Sequence, residues 1–317
     1  MAAMQIHNTI LVTGAGGMLG KALVSHLRVA GASKVVEVTR ATCDLEDSQA
    51  VDLLFSTHRP AYVYHLAAKV GGIQANINDP FGFMVKNLKM QTSVFESCLR
   101  YGVTKVAFAG SSCAYPRDCP QPMREEHLMT GPPEPTNEAY AIAKLAGVRL
   151  AAYAAEQHRV GTVCPMFCNL YGPGDSFDFD RCHVLSALVR RFCDATSSGA
   201  SQVTLWGTGS ACREFLHVDD AARAMTFLMD NYHRGDHINV GTGHDVSIRE
   251  LSSLVAQRVG FAGEVIWDTS KPDGMPRKCL DVTRLSRLGF TPQSTLSEGI
   301  DQVIADYRQS ALESFGR

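Results

Sequence analysis

No stretch of the 317-residue sequence stays apolar for the roughly 20 residues that a membrane-spanning helix requires. Excess positive charge is missing as well. The formal net charge is −2, whereas nucleic-acid binders are usually basic, so neither a membrane nor a nucleic acid is an expected partner. The ten cysteines include no Cys-x-x-Cys pair, which removes the commonest sequence signal for a structural metal, and no metal is expected. Residues Met1 to Gln5 lack the apolar core of a signal peptide, and the final residues carry no anchor or retention signal. A cytoplasmic setting is therefore expected, in which most of the cysteines serve as small buried hydrophobes. Internal repeats and low-complexity stretches are also absent. What remains is ordinary for a globular protein: 45% hydrophobic and 20% charged residues, in a length that suits one large α/β domain and a smaller one.

The first apolar run, Thr9 to Thr13, reads as a strand and passes directly into Gly14, Ala15, Gly16, Gly17, Met18, Leu19 and Gly20. Gly14, Gly17 and Gly20 are spaced as in a dinucleotide turn, with Gly16 extra. Gly14 suits a tight bend, Gly17 a close approach of backbone to pyrophosphate, and Gly20 close packing of the following helix. That helix, Lys21 to Ala30, would aim its positive end at the phosphates, with Met18 and Leu19 beside them. A second strand, Lys34 to Thr39, ends next to Arg40. An arginine there suits the 2′-phosphate of NADP, whereas Glu37 would act as an NAD-type acid if the strand tip fell one residue differently. Asp44 and Leu45 fit a loop beneath an adenine. The third strand, Tyr62 to Leu66, ends in Ala67 and Ala68, small residues that let a cofactor lie close.

Between Gly110 and Lys144 the sequence makes its chemical commitments. The strand Lys105 to Ala109 precedes Gly110, Ser111, Ser112 and Cys113, so Ser111 and Cys113 fall just past a strand's carboxyl end, where open α/β sheets bind ligands. A long amphipathic helix, Phe83 to Tyr101, comes before it. A second helix is expected around Tyr140 and Lys144, capped by Thr136 or Asn137 with Glu138 in its first turn. Residues four apart share a face, roughly 6 Å apart along the axis. A lysine cation near a phenol is expected to lower the tyrosine's pKa from about 10. Tyr140 is thus the candidate acid or base, and Ser111 is able to hold the same carbonyl oxygen.

Further on, Gly161 to Gly174 combines a strand with a loop punctuated by proline and glycine, a candidate lid containing Phe167, Asn169 and Leu170. Asp175 to Arg181 is polar. His183 opens a helix expected to run from Val184 to Cys193, and Asp219 is the expected cap of another that ends at Asn231.

Together the glycine turn, Ser111 and the Tyr140-x-x-x-Lys144 pair resemble the extended short-chain dehydrogenase/reductase superfamily. The segments Gly110 to Pro116, Pro135 to Lys144, Arg213 to Asp220, Ile238 to Gly243 and Lys271 to Gly274 resemble, within it, the GDP-L-fucose synthase family. The likeness runs through nearly the whole chain. It implies a Rossmann-type doubly wound parallel sheet (1–168 and 214–242) and a smaller, discontinuous α/β substrate domain (169–213 and 243–317). The implied activity is 3,5-epimerisation of GDP-4-keto-6-deoxy-D-mannose followed by NADPH-dependent 4-keto reduction, in a homodimer joined through the helices near 84–101 and 138–157. By resemblance Cys113 is the epimerising base and His183 the acid, while Ser111 orients the ketone. Tyr140 protonates its oxygen, and Lys144 tunes the phenol and holds the nicotinamide ribose. His183 also adjoins the cofactor. Arg191, Trp206, Arg213, Asp273 and Lys278 are implied for the GDP-sugar.

The chain departs from the family in three places: Met166-Phe167-Cys168 stands after the lid strand, Gly16 replaces a basic residue of some relatives, and Gly174-Asp175-Ser176-Phe177 replaces His-Asp-Asn-Phe. A nucleotide-sugar dehydratase would show an Asp-Glu pair where this chain has Ser112 and Cys113. A non-catalytic NADP sensor would have no need of all five catalytic side chains.

Overall fold

The computed structural model describes residues 4–158, 160–179, 182–271 and 273–315. Strand β1 (Ile10–Thr13) is buried along its whole length, as a continuous apolar run requires of a strand covered on both faces. The glycine turn leads into α1 (Met18–Val29), which begins at Met18 rather than at the expected Lys21. Then come β2 (Val35–Val38), α2 (Ser48–His58) and β3 (Tyr62–His65). One helix was expected next and two are present, α3 (Ile73–Asn78) and α4 (Pro80–Arg100). Asp79 divides them. Its carboxylate accepts from Gly82 N at 2.9 Å and so caps α4, with Pro80 in the first turn where its missing N–H costs nothing.

Strand β4 (Lys105–Phe108) and the two-residue β5 (Gly110–Ser111) precede α5 (Glu138–His158). Neither Thr136 nor Asn137 caps α5. A single 3₁₀ turn, Pro135–Asn137, runs straight into it and is itself capped by the Glu134 carboxylate on Thr136 N. Strands β6 (Gly161–Phe167) and β7 (Asn169–Tyr171) follow. Helix α6 (Val184–Ser198) starts after His183 as expected but continues beyond Cys193. Next are β8 (Gln202–Trp206), β9 (Cys212–His217) and α7 (Val218–Asn231). Here the expected cap, Asp219, already lies inside the helix; His217 caps it, accepting from Asp219 N through Nδ1. The chain closes with β10 (His237–Val240), β11 (Asp245–Ser247), α8 (Ile248–Val259), β12 (Glu264–Asp268), β13 (Arg277–Lys278), α9 (Thr283–Arg287) and α10 (Leu296–Phe315). Of the segments singled out in the sequence, Met1 to Ala3, Asp180, Arg181, Pro272, Gly316 and Arg317 lie outside the described residues.

A seven-stranded parallel sheet follows the order β2-β1-β3-β4-β6-β10, with β5 also paired to β6. The chain steps from β1 to β2 on one side and returns to β3 on the other, so the order reverses at β1. A doubly wound α/β sheet opens a ligand crevice at the carboxyl ends of its strands beside such a reversal. A smaller sheet joins β7, β11 and β13 to β9, and β8 pairs with β12. Two apolar cores result: one around the large sheet, the other formed by Phe192, Leu205, Val255, Ile300 and their neighbours. Successive side chains on a strand point to opposite faces. In β9, Phe215 accordingly packs into the second core and Leu216 into the first.

Candidate active site

The bend after β1 is one that only glycine makes comfortably. Gly14 has φ +70°, and a Cβ there would stand 2.9 Å from Ala67 N. One turn into α1, a Cβ on Gly20 would meet Gly14 O at 2.1 Å, so bend and helix close on each other through two missing side chains. The early start of α1 turns its first backbone N–H groups, at Met18 and Leu19, towards the crevice, a ready anion site. Gly16 faces Thr39 at the tip of β2, where a Cβ would find ordinary contact at 3.5 Å.

A cavity of ≈ 460 Å³ opens at this point. Its wall takes in Gly14, Gly17, Met18, Leu19 and Gly20 from the turn, Arg40, Asp44 and Leu45 beyond β2, and Ala67 and Ala68 beyond β3. It also takes in Phe167, Asn169 and Leu170, and all five candidate catalytic side chains: Ser111, Cys113, Tyr140, Lys144 and His183. Gly16 is not in the wall. Glu37 is not there either; it is exposed on β2 and paired with Arg28 of α1. That leaves Arg40 as the charged side chain at the strand tip.

Ser111 falls just past the carboxyl end of β4, as expected, and itself ends the short β5, in register with Phe167. The next residues, Ser112–Ala114, turn in a 3₁₀ loop, and Ser111 Oγ accepts from Cys113 N at 3.2 Å. Helix α5 reaches the sheet closely at Gly147, where a Cβ would lie 2.2 Å from the Phe108 ring. One turn before it, this approach sinks Lys144 until its Nζ donates to Ala109 O at 2.8 Å, 4.9 Å from the Phe108 ring centre and 5.9 Å from that of Tyr140. Burial lowers the Lys144 pKa from 10.5 to about 8, against a smaller opposing effect of Cys164.

Tyr140 departs from the expectation. Burial, and then the neighbouring Cys113, raise its phenol well above the ordinary value, and the hydrogen bond with Ser111 offsets only part of this. The Lys144 ammonium is spent on Ala109 O instead of on the phenol oxygen, which is why it does not pull the tyrosine down. Cys113 behaves in the opposite way. Burial acts to raise its pKa, but the charge of Lys278 and hydrogen bonds from Ser111, Lys278 and Asn137 outweigh it and leave the thiol lower than usual. Lys278 Nζ lies 3.1 Å from Cys113 Sγ.

None of the five residues implied for the GDP-sugar lines the cavity wall. Lys278 and Arg213 adjoin it, paired in register on β13 and β9. Arg191 lies 4.8 Å from the Phe179 ring, and Trp206 is 69% exposed. Asp273 accepts from Thr208 N and Thr208 Oγ1, both at 2.7 Å, and braces the turn after Trp206.

Two residues were missed by sequence reasoning. Asn137, read only as a cap, hydrogen-bonds Cys113 and lines the cavity. Glu214, fully buried in β9, accepts from Gly243 N at 2.7 Å and Leu280 N at 2.8 Å. A carboxylate directly before the apolar pair Phe215-Leu216 in a strand is itself a signal, because buried charge demands such partners.

Among the described residues no group of three or more His, Cys, Asp or Glu is arranged to hold a metal ion, and no helix is long and apolar enough to cross a membrane. A glycine-turn crevice that converges with a Ser/Tyr/Lys set on a doubly wound sheet defines a nucleotide-dependent epimerase or reductase. The chain belongs to the NAD dependent epimerase/dehydratase family, whose model matches residues 10–241. At the level of individual proteins it is similar to "Putative GDP-L-fucose synthase 2" of Arabidopsis thaliana, 46% identical over 304 residues that cover 96% of this chain and 93% of the relative. It is also similar to "GDP-L-fucose synthase" of Escherichia coli K12, 43% identical over 92% of this chain and 94% of the relative. A solved GDP-L-fucose synthetase of Naegleria fowleri bound to NADP superposes with a TM-score of 0.88 at 30% identity, over 98% of this chain and 95% of that one.

Proposed function

We propose that this chain converts GDP-4-keto-6-deoxy-D-mannose to GDP-L-fucose, first inverting C3 and C5 and then reducing the 4-ketone with NADPH. The observation that carries the proposal is the single cavity shared by the glycine turn and by Ser111, Cys113, Tyr140, Lys144 and His183. The Gly14 bend, the amino end of α1 and Arg40 fit a dinucleotide with a 2′-phosphate, since Glu37 is engaged by Arg28. When bound, NADPH supplies hydride. Lys144 holds the nicotinamide ribose, Ala67 and Ala68 leave room for the cofactor, and Phe167, Asn169 and Leu170 cover it.

The 4-ketone acidifies the hydrogens on both neighbouring carbons. Cys113, as thiolate, takes the proton from one face, and the electron pair moves onto the ketone oxygen, held by Ser111 and Tyr140. His183, exposed at the start of α6, returns a proton to the opposite face and inverts the centre. In the reduction Tyr140 gives its proton to the same oxygen. Its raised pKa suits that role, because the phenol stays protonated at neutral pH. Arg191, Trp206, Arg213, Asp273 and Lys278 are proposed to hold the GDP-sugar. The two cores are proposed to be the cofactor domain (1–168 and 214–242) and the substrate domain (169–213 and 243–317), with Leu280, Leu285 and Phe290 returning to the first.

A homodimer through α4 and α5 is supported by the exposed Ile142 and Tyr153 on α5. All ten cysteines are free, which suits the reducing cytoplasm.

The decisive experiment incubates the protein with the keto nucleotide and NADPH and identifies the sugar formed; a product other than GDP-L-fucose rejects the assignment. Arg40→Ser is expected to raise the KM for NADPH about 10- to 100-fold, the loss of a charge-assisted contact, and to leave that for NADH unchanged. Initial rates with both cofactors check this, and an equal change in both would detach Arg40 from the 2′-phosphate.

A further inference from the structure

We propose that Lys278 is the counter-cation of a Cys113 thiolate, the group that arms the epimerising base before any substrate arrives. This rests on the reading of Cys113 as that base and assigns Lys278 a task distinct from gripping pyrophosphate.

Lys278 Nζ stands 3.1 Å from Cys113 Sγ, although the two residues are 165 positions apart in the chain. A thiol with an ordinary pKa near 8.5 is only a few per cent ionised at neutral pH, and an adjacent ammonium is a standard way to raise that fraction. Burial opposes a thiolate here, but the polar groups around the sulfur favour one. Ser111 and Asn137 hydrogen-bond it, Arg213 adds a second positive charge nearby, and Tyr140 stays neutral. Among the described residues no carboxylate is recorded as acting on this sulfur.

The lysine is also held in place. Its strand, β13, pairs with β9 through Arg277 and Lys278, and Arg277 forks onto Asp245 at 2.7 and 2.9 Å. On the other side Cys279 N donates to Gln121 Oε1 at 2.9 Å, and Asp281 N to Met123 O at 2.8 Å. Leu280 N donates to the buried Glu214. A side chain meant only to follow a flexible pyrophosphate would not need its backbone fixed from both sides. A charge that must remain within contact of one sulfur does. Glu214 is the positioning residue in this arrangement, because it ties β9 to the segment that leaves β13 just after the lysine.

The test is the pH profile of Cys113 alkylation by iodoacetamide in the full chain without substrate, read on the Cys113 peptide by mass spectrometry so that the other nine cysteines do not interfere. Lys278→Met is expected to move the profile upward by about one pH unit or more, so that alkylation at pH 7 slows about tenfold. Lys278→Arg restores most of the wild-type profile, which a folding defect would not do. Ultraviolet thiolate absorbance, taken as the difference between wild type and Cys113→Ser, is expected to titrate with the same midpoint. An unchanged profile in Lys278→Met, accompanied by a raised KM for the GDP-sugar, would overturn the proposal and leave Lys278 a substrate ligand only. A shifted profile in a protein that does not turn over the keto nucleotide would uphold the ion pair and reject the substrate assignment instead.

Discussion

Replacing Tyr140 by phenylalanine is expected to slow NADPH oxidation about 10²- to 10⁴-fold, the range that a positioned proton donor contributes. The substitution removes one oxygen from a helix otherwise anchored by Gly147 against Phe108 and by Lys144 on Ala109 O, so the cavity keeps its shape. Ser111 remains to orient the ketone, but an aliphatic hydroxyl is a much weaker acid than a phenol and replaces it poorly as proton donor. In the unaltered protein the same step is expected to weaken as pH rises through about 8, where Lys144 loses the charge with which it is proposed to hold the nicotinamide ribose. Stopped-flow NADPH absorbance across pH reports both effects. A near-normal rate in the phenylalanine variant would move proton donation to another group.

Cys113→Ser divides the reaction differently. A serine hydroxyl ionises far less readily than a thiol, even beside Lys278, so proton removal from the carbons flanking the ketone is expected to fall by about 10²-fold or more. Hydride transfer to a ketone already inverted at both centres is expected to proceed at a rate close to wild type, because Ser111, Tyr140 and Lys144 are untouched. Solvent deuterium uptake at C3 and C5, followed by NMR, measures the first step, and NADPH oxidation with the pre-inverted ketone measures the second. Loss of both together would mean that Cys113 supports the cavity rather than acting as its base.

The legible part of the site was its local part. Gly14 and Gly20 act on neighbouring backbone, and Tyr140 and Lys144 share a helical face by spacing alone, so a linear reading finds them. Strand positions were legible too, since buried parallel strands read as short apolar runs. Contacts between distant segments were not. Nothing in the order of residues places Lys278 against Cys113, and Asn137 looked like a helix cap because its contact with the sulfur depends on how α5 docks. The Tyr140 pKa came out with the opposite sign for a related reason. Sequence spacing reports that a lysine is near, but not which oxygen it bonds, and Ala109 O takes that bond. The expected caps failed because α5 continues a 3₁₀ turn that Glu134 caps, and because His217 reaches the first N–H groups of α7.

Strand β9 carries a further consequence. Because Phe215 and Leu216 are neighbours that anchor different cores, neither core can lose its packing without dragging the other's backbone with it. The two lobes should therefore melt as one cooperative unit, and differential scanning calorimetry is expected to record a single endotherm whose van't Hoff and calorimetric enthalpies agree. Two resolved endotherms would mean that the strand acts as a hinge, free to let one lobe loosen while its neighbour stays intact.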